Sequence, residues 1–311
     1  MPSSSPHGYP RDRRATLSST SHTAVLVRRA MRRFMLISLA TAAFAVAPAA
    51  AASAQTGATI PVPDPILTKL GHTPMVELWD GGGGLPYLGS SGSYNAGDWE
   101  NTLRTYVSSK TYVNQLAKVD AVAKRWISRA GRGRFKLERR RGHFRGVKIV
   151  RASRKAHHRG HGKAKPAIVF DVDETALSNY SAIDKDNFTF GPNSQAEATN
   201  EIGEAIDPTL ELYKLAQQRG IATFFITGRR ENTRQHTDSN LRREGFTDYT
   251  ELILKPDAST ATTVDYKSGA RKAIEDKGYR ILASVGDQYS DLAGGHEAVA
   301  FKLPNPFYFL P

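Results

Sequence analysis

The sequence predicts an α/β protein: a parallel sheet with helices on both faces, preceded by an N-terminal helical extension. Between Ala167 and Phe301, short continuous apolar runs alternate with amphipathic stretches of helical length, the pattern of repeated βαβ units. Gly220, Gly245 and Gly278 each close one of the helical stretches, as helix C-termini favour. Each of the first, second and fourth apolar runs also breaks off into polar residues. In an open parallel sheet such strand ends share one crevice at the carboxyl edge.

The elements follow in order. Residues 55–97 hold Pro61, Pro63, Pro65 and the run Gly81 to Gly84, which predicts a loop-rich lead-in. Asp98 is placed to cap one helix running to about Arg129, with Leu103, Tyr106, Val107, Val113, Leu116, Val119, Val122 and Trp126 near one face. Residues 130–165 are rich in Arg, Lys, Gly and His and poor in large apolar side chains, so disorder is expected. Two alternating stretches, Phe135 to Leu137 and Val147 to Val150, are the alternative there, as a hairpin. The first core strand is Ala167 to Phe170. Asp207-Pro208 opens a helix whose apolar face carries Leu212, Leu215 and Ala216. Ile221 to Ile226 is the second strand and ends in Thr227-Gly228-Arg229-Arg230. A helix follows through Leu241, then a short third strand at Leu252 to Leu254. Ser268 to Lys277 reads as a helix, Tyr279 to Val285 as a fourth strand ending in Gly286-Asp287, and Ala298 to Phe301 as a fifth.

The net charge of +13 is unevenly spread: residues 1–33 carry +6, residues 124–165 carry +16, and the rest of the chain is at −9. The body is acidic and the basic character sits in two separable pieces. The first reads as an export signal, with Arg28, Arg29, Arg32 and Arg33 before the apolar run Phe34 to Ala47, and Ala52-Ser53-Ala54 before Gln55 as a cleavage pattern. That apolar run is too short and Ala-rich for a membrane span, so no stable insertion is expected after cleavage, and the protein is expected to be exported. The second piece suits weak contact with polyanions. Its histidines, His143, His157, His158 and His161, are too irregularly spaced to read as a metal site. With 0 cysteines, disulfides, thiolate metal sites and cysteine nucleophiles are excluded. The expected organisation is 1–54 extension and signal, 55–129 lead-in and packing helix, 130–165 basic insertion, and 166–311 catalytic core.

Asp171-Val172-Asp173-Glu174-Thr175 directly follows the first core strand. Residues two apart on a strand share a side, so Asp171 and Asp173 can face one site as the chain leaves the sheet. Acidic residues also occur in ordinary turns; the other strand ends favour a site. Thr227 and Gly228 follow the second strand, Asp287 and Asp291 the fourth, and Lys267 opens the helix between the third and fourth. Converging carboxylates call for a hard divalent cation, and Mg²⁺ suits all-oxygen ligation by Asp171, Asp173, Asp287 and Asp291. Thr227, Gly228 and Lys267 can hold phosphate oxygens and developing negative charge. Asp171 is then placed to attack phosphorus, and Asp173 to exchange protons with the leaving group and water. Lys255, also at a strand end, competes for the role given to Lys267. Arg229 reads as an orienting residue and His236 as a structural histidine on a helix.

These residues carry a resemblance. Asp171 to Thr175, Thr227-Gly228-Arg229, Tyr266-Lys267-Ser268 and Gly286 to Asp291 resemble the four ordered motifs of haloacid-dehalogenase (HAD) superfamily phosphatases. Leu177 to Tyr180, Arg234 to Leu241, Leu252 to Lys255 and Phe301 to Pro306 are similar to subfamily IIIB acid phosphatases, which include plant vegetative storage proteins. The resemblance covers about residues 98–129 and 166–311, and 130–165 has no counterpart in it. It implies a Rossmann-like core and hydrolysis of small phosphomonoesters at acidic pH with Mg²⁺ through an aspartyl-phosphate, with the roles given above. It also prefers Lys267 to Lys255, by its Tyr-Lys-Ser context. Some storage-type members lack the nucleophile; this chain keeps Asp171. A non-catalytic polyanion-binding or storage role and phosphoryl transfer to an alcohol are the alternatives. With about 50 residues between the first two motifs, any cap is small, and Tyr180, Phe188 and Phe190 read equally as stacking or packing aromatics.

Overall fold

The structure, a computed structural model, describes residues 64–78, 100–141, 143–151 and 164–310. The expected export segment, Gly81 to Gly84, Asp98, His157, His158 and His161 lie outside the described residues.

The lead-in is more ordered than expected. Strands β1 (Pro65–Leu70) and β2 (Thr73–Leu78) form an antiparallel hairpin in which Leu70 pairs with Thr73. The intervening Gly71-His72 is a two-residue turn, and Gly71 takes φ 60°, a conformation glycine adopts without a side-chain clash. Met75 and Val76 are buried and tie the hairpin to the core. The single helix expected from Asp98 to Arg129 is two, α1 (Glu100–Ser108) and α2 (Thr111–Ser128), broken at Lys110 with φ 62°. The apolar face read from the sequence is the buried one, with Leu103, Tyr106, Leu116, Val119, Val122 and Trp126 all in the core.

Disorder is not what residues 134–150 adopt. Strands β3 (Arg134–Arg140) and β4 (His143–Val150) pair antiparallel, the hairpin that the alternation at Phe135 and Val147 suggested. Three inward residues suffice because an apolar surface already waits for them. Phe135 packs on Trp126 with ring centroids 4.8 Å apart, Val147 and Ile149 are buried while Leu137 stays exposed, and Arg129 Nη1 donates to the Ile149 carbonyl at 2.5 Å.

The core begins with β5 (Lys165–Phe170). The cap is the short ladder of β6 (Leu177–Ser178) with β7 (Glu204–Ala205), enclosing α3 (Tyr180–Lys185) and α4 (Pro192–Asn200). Then come α5 (Asp207–Gln218), β8 (Ala222–Arg230), α6 (Arg234–Arg243), β9 (Glu251–Lys255), α7 (Thr263–Asp276), β10 (Tyr279–Gly286), α8 (Tyr289–Leu292) and β11 (Ala300–Lys302). Helix α7 starts earlier than expected because the Thr262 side chain accepts from the Asp265 N–H at 3.1 Å, an N-cap. Lys267 therefore stands one turn inside the helix.

The strands form one sheet in the order β1-β2-β11-β10-β5-β8-β9, and every pair except β1–β2 is parallel. Strand alternation serves two cores. Ile168 and Phe170 join a cluster with Leu116, Leu212, Tyr213 and Leu241 from α2, α5 and α6, whereas Ala167 and Val169 join one with Ile274 from α7. Helices thus cover both faces, as expected. The chain winds outward from β5 to β8 and β9, then crosses back to β10. The switch point between β5 and β10 is where an open α/β sheet leaves a crevice.

Candidate active site

Asp171 emerges from β5 with its N–H donating to the Val285 carbonyl of β10 at 2.9 Å, which pins it at the switch point. Its carboxylate is buried and accepts from Lys267 Nζ at 2.5 Å. The same ammonium donates to Asp291 Oδ1 at 2.6 Å. Lys267 reaches across from α7 with 3% exposure, so its charge is committed to this site. Lys255 instead donates to the Ala261 carbonyl at 2.6 Å. The geometry separates the two lysines in favour of Lys267.

Asp287 and Asp291 follow β10. Ligand atoms of Asp171, Asp287 and Asp291 all lie within 4.8 Å of one another. Both oxygens of Asp287 are oriented: Oδ1 accepts from Thr175 Oγ1 at 3.1 Å, and Oδ2 from Gln288 Nε2 and Asn305 Nδ2, each at 2.7 Å. Asp291 Oδ2 accepts from the Gln288 N–H at 2.8 Å. Behind this loop lies Arg271, buried in α7. It donates to the carbonyls of Asp291, Ala293 and Gly295 and pairs with the buried Glu297 at 2.8 Å.

Two of the three buried carboxylates, Asp171 and Asp291, share the Lys267 ammonium, and the electrostatics register the imbalance. Burial, then the charge of Asp291, pushes the Asp171 carboxyl well up despite Lys267. Burial and Asp291 likewise raise Asp287 to about 6. Burial would lower Lys267, but Asp171 and Asp291 outweigh it and hold the ammonium charged. An all-oxygen cluster with surplus negative charge fits a hard divalent cation.

Asp173 departs from expectation. Its carboxylate is not among the three that cluster, and its hydrogen bonds run to Arg229 and Asn179 instead. Arg229 Nη2 donates to Asp173 Oδ1 at 2.6 Å, Arg229 Nε to the same oxygen at 3.0 Å, and Asn179 Nδ2 also to it at 2.8 Å. Burial pushes this carboxyl up, but the guanidinium and these hydrogen bonds outweigh it and leave it below the usual carboxylate range. Arg229, expected to orient the loop or the substrate, instead holds the Asp173 carboxylate in a guanidinium fork.

Thr227 and Gly228 stand at the end of β8, which pairs with β5 through Phe170 and Phe225. The pairing of β8 with β9 shifts between Thr227 and Arg230, so Gly228 and Arg229 bulge out of the ladder. Thr227 Oγ1 accepts from the Arg229 N–H at 3.1 Å, and a side chain added at Gly228 would meet open space. Both residues are therefore on the same sheet edge as Asp171.

Several supporting residues were not assigned from the sequence. Glu174, fully buried at φ 51°, accepts from the Asn179 N–H at 2.6 Å and from Tyr112 Oη at 3.2 Å. Burial raises it to about 8. Thr175, Gln288 and Asn305 belong to stretches already singled out, but only the folded chain shows that they converge on Asp287. Of the three aromatics, Phe188 is core and Tyr180 packs on it and on Phe307, while Phe190 is 80% exposed. His236 pairs with Glu201 at 2.9 Å, a structural contact as expected.

Residues 138–311 match the family described as HAD superfamily, subfamily IIIB (acid phosphatase). Among curated relatives, acid phosphatase 1 of Solanum lycopersicum is 37% identical over 148 residues, covering 46% of this chain and 58% of the relative. Vegetative storage protein 1 of Arabidopsis thaliana is 36% identical over 150 residues, 46% of this chain and 55% of the relative. The stem 28 kDa glycoprotein of Glycine max is 36% identical over 154 residues, 47% and 61% of the two. The chain thus spans little more than half the length of these relatives. The class C acid phosphatase of Bacillus anthracis, solved with tungstate bound, superposes with a TM-score of 0.50 at 16% identity, over 68% of this chain and 86% of that one. That likeness bears on the fold, which it shares. By the span of the family match and the four motif stretches gathered at one sheet edge, this chain belongs to the HAD superfamily, subfamily IIIB, the acid phosphatases.

Proposed function

We propose that the protein is an exported, Mg²⁺-dependent phosphomonoesterase that works through an aspartyl-phosphate on Asp171. The observation that carries this reading is the buried Asp171 carboxylate at the switch point, held by Lys267 beside Asp287 and Asp291. Asp171, Asp287 and Asp291 would hold the metal, which when bound neutralises phosphate and carboxylate oxygens. Thr227, Gly228 and Lys267 bind the phosphoryl oxygens, with Lys267 matching their growing charge.

In the first half of the reaction an Asp171 oxygen bonds to phosphorus and the ester P–O bond breaks. Asp173 gives a proton to the departing alkoxide. In the second half Asp173 takes a proton from water, the water oxygen bonds to phosphorus, and the acyl-phosphate P–O bond breaks. Inorganic phosphate leaves and Asp171 is restored as a carboxylate. The Arg229 fork holds Asp173 in the form that accepts a proton from water; donation in the first half requires Asp173 to leave that fork carrying one. With only α3, α4 and the two-residue strands as a cap, the site suits small phosphomonoesters.

The test is release of phosphate from p-nitrophenyl phosphate. Asp171→Asn is expected to lower kcat by at least about 10³-fold, and EDTA to abolish turnover until Mg²⁺ is restored. Unchanged turnover in Asp171→Asn would sink the mechanism. Product analysis with added alcohol identifies the acceptor: inorganic phosphate alone supports hydrolysis, and an alkyl phosphate marks transfer.

A further inference from the structure

We infer that the β3–β4 hairpin is a docking surface for a linear, base-free phosphate polymer. It acts apart from the catalytic site. Along β3 the outward positions are Arg134, Lys136, Glu138 and Arg140, and all are exposed; Phe135 and Leu137 alternate with them on the inner side. On β4, Lys148 is exposed between the buried Val147 and Ile149. The register places Lys136 directly opposite Lys148 and Arg134 opposite Val150.

That pairing is unfavourable without a counter-charge, because like charges directly opposite on a ladder destabilise it. Cations two residues apart on one strand stand about 6.8 Å apart, and neighbouring strands about 4.8 Å. Both spacings lie inside the screening length of about 10 Å at 0.1 M salt. Glu138 is the 1 acidic residue between residues 124 and 165, against 17 Lys and Arg. Among the described residues, Arg134, Lys136, Arg139, Arg140, Arg141 and Lys148 make no ion pair and no side-chain hydrogen bond. Elsewhere on the surface, cations such as Lys124, Arg242 and Lys272 do pair with carboxylates. The hairpin is thus a rank of uncommitted positive charge on a protein whose remaining body is acidic.

It is also held firmly. Phe135 is fixed between Trp126 and Phe301, with centroids at 4.8 and 6.4 Å, so the outward row keeps its spacing. Regularly spaced cations along extended strands match a chain with one negative charge per repeat, and the prevalence of Arg favours phosphate over carboxylate. None of the described outward residues is aromatic, so among them there is no platform for stacked bases. Of the described hairpin residues, Leu137 is an exposed large apolar side chain, and it lies on the side opposite the cation row.

The test measures binding of inorganic polyphosphate of defined length by the full chain, in an Asp171→Asn background so that no turnover intervenes. Lys136→Gln/Lys148→Gln is expected to weaken binding at least tenfold and to reduce the slope of log K against log salt by about 1.4, two contacts' worth. In the wild-type background, the same pair is expected to leave hydrolysis of p-nitrophenyl phosphate unchanged, which also reports that the fold is intact. Lys272→Gln on α7 is the control for net charge and is expected to bind as the parent does. Equal weakening by Lys272→Gln, or full binding by the double variant, overturns the proposal. So does tenfold tighter binding of a thymidine oligonucleotide with the same number of phosphates, or of anionic vesicles at equal phosphate concentration.

Discussion

Asp171 and Asp173 are two residues apart, yet the fold gives them opposite electrostatic settings. Asp171 shares an ammonium with Asp291 and is pushed up by burial and its acidic neighbours, while Arg229 and Asn179 hold Asp173 down. These settings run opposite to the proposed roles, which need Asp171 ionised for attack and Asp173 protonated in the first half. The spacing within Asp171-Val172-Asp173 was legible in the sequence; the partners that set the two apart were not, because Arg229 lies 56 positions away from Asp173. Gly286 shows the same dependence on close approach. A Cβ built there would lie 2.6 Å from Asp291 Cβ, so Asp291 reaches the cluster only because β10 ends in glycine. Gly286→Ala is expected to displace Asp291 and weaken Mg²⁺ binding at least about tenfold, with helix content unchanged. Calorimetric titration with Mg²⁺ checks this, and wild-type affinity in the variant would refute it.

Among the elements, α2 is the clearest case of a sequence pattern serving packing while hiding a polar device. Its apolar stripe lies against the sheet and α5, and Trp126 Nε1 donates to the Leu282 carbonyl at 2.8 Å. Inside that interface sits Asp120, fully buried. Its Oδ2 accepts from Thr209 Oγ1 of α5 at 3.2 Å, and its Oδ1 has no hydrogen-bond partner. Burial raises this carboxyl to about 7 from the ordinary 3.8. The unfolded chain therefore loses the proton first. Stability is fully present below about pH 4 and declines as pH rises toward 7, by at most about 1.4 kcal/mol per unit. Asp120→Asn is expected to remove this slope and to leave the protein roughly 2–4 kcal/mol more stable than the parent at pH 8. Urea unfolding at pH 4, 6 and 8 measures it; parallel profiles for the two proteins would contradict the assignment. The sequence showed Asp120 only as a polar residue between Val119 and Val122, since a helical period does not reveal which helix will cover a given turn.

At the scale of the whole molecule, charge is partitioned: a basic N-terminal segment, a basic hairpin and an acidic catalytic body. If the first is an export signal, protein recovered from the medium or periplasm of an expressing cell is expected to begin at Gln55. Terminal sequencing checks this, and an intact N-terminus on exported protein would exclude cleavage there. Among the described residues, no helix is long and apolar enough to cross a membrane. The sequence by itself determined the α/β class and the alternation of elements from Ala167 onward, and it singled out Asp171, Asp287 and Asp291 at strand ends, because periodicity and strand-end polarity are local properties. It read residues 65–78 as loop and left 134–150 between disorder and a hairpin, because whether a few apolar side chains suffice for a hairpin depends on a partner surface that local composition does not contain. Tertiary structure alone decided that Lys267 rather than Lys255 meets Asp171, that Asp173 belongs to Arg229, and that Thr175, Gln288 and Asn305 orient Asp287. Those choices are set by which strand ends the crossover at β5 and β10 brings together, a relation between residues as many as 112 positions apart in the chain.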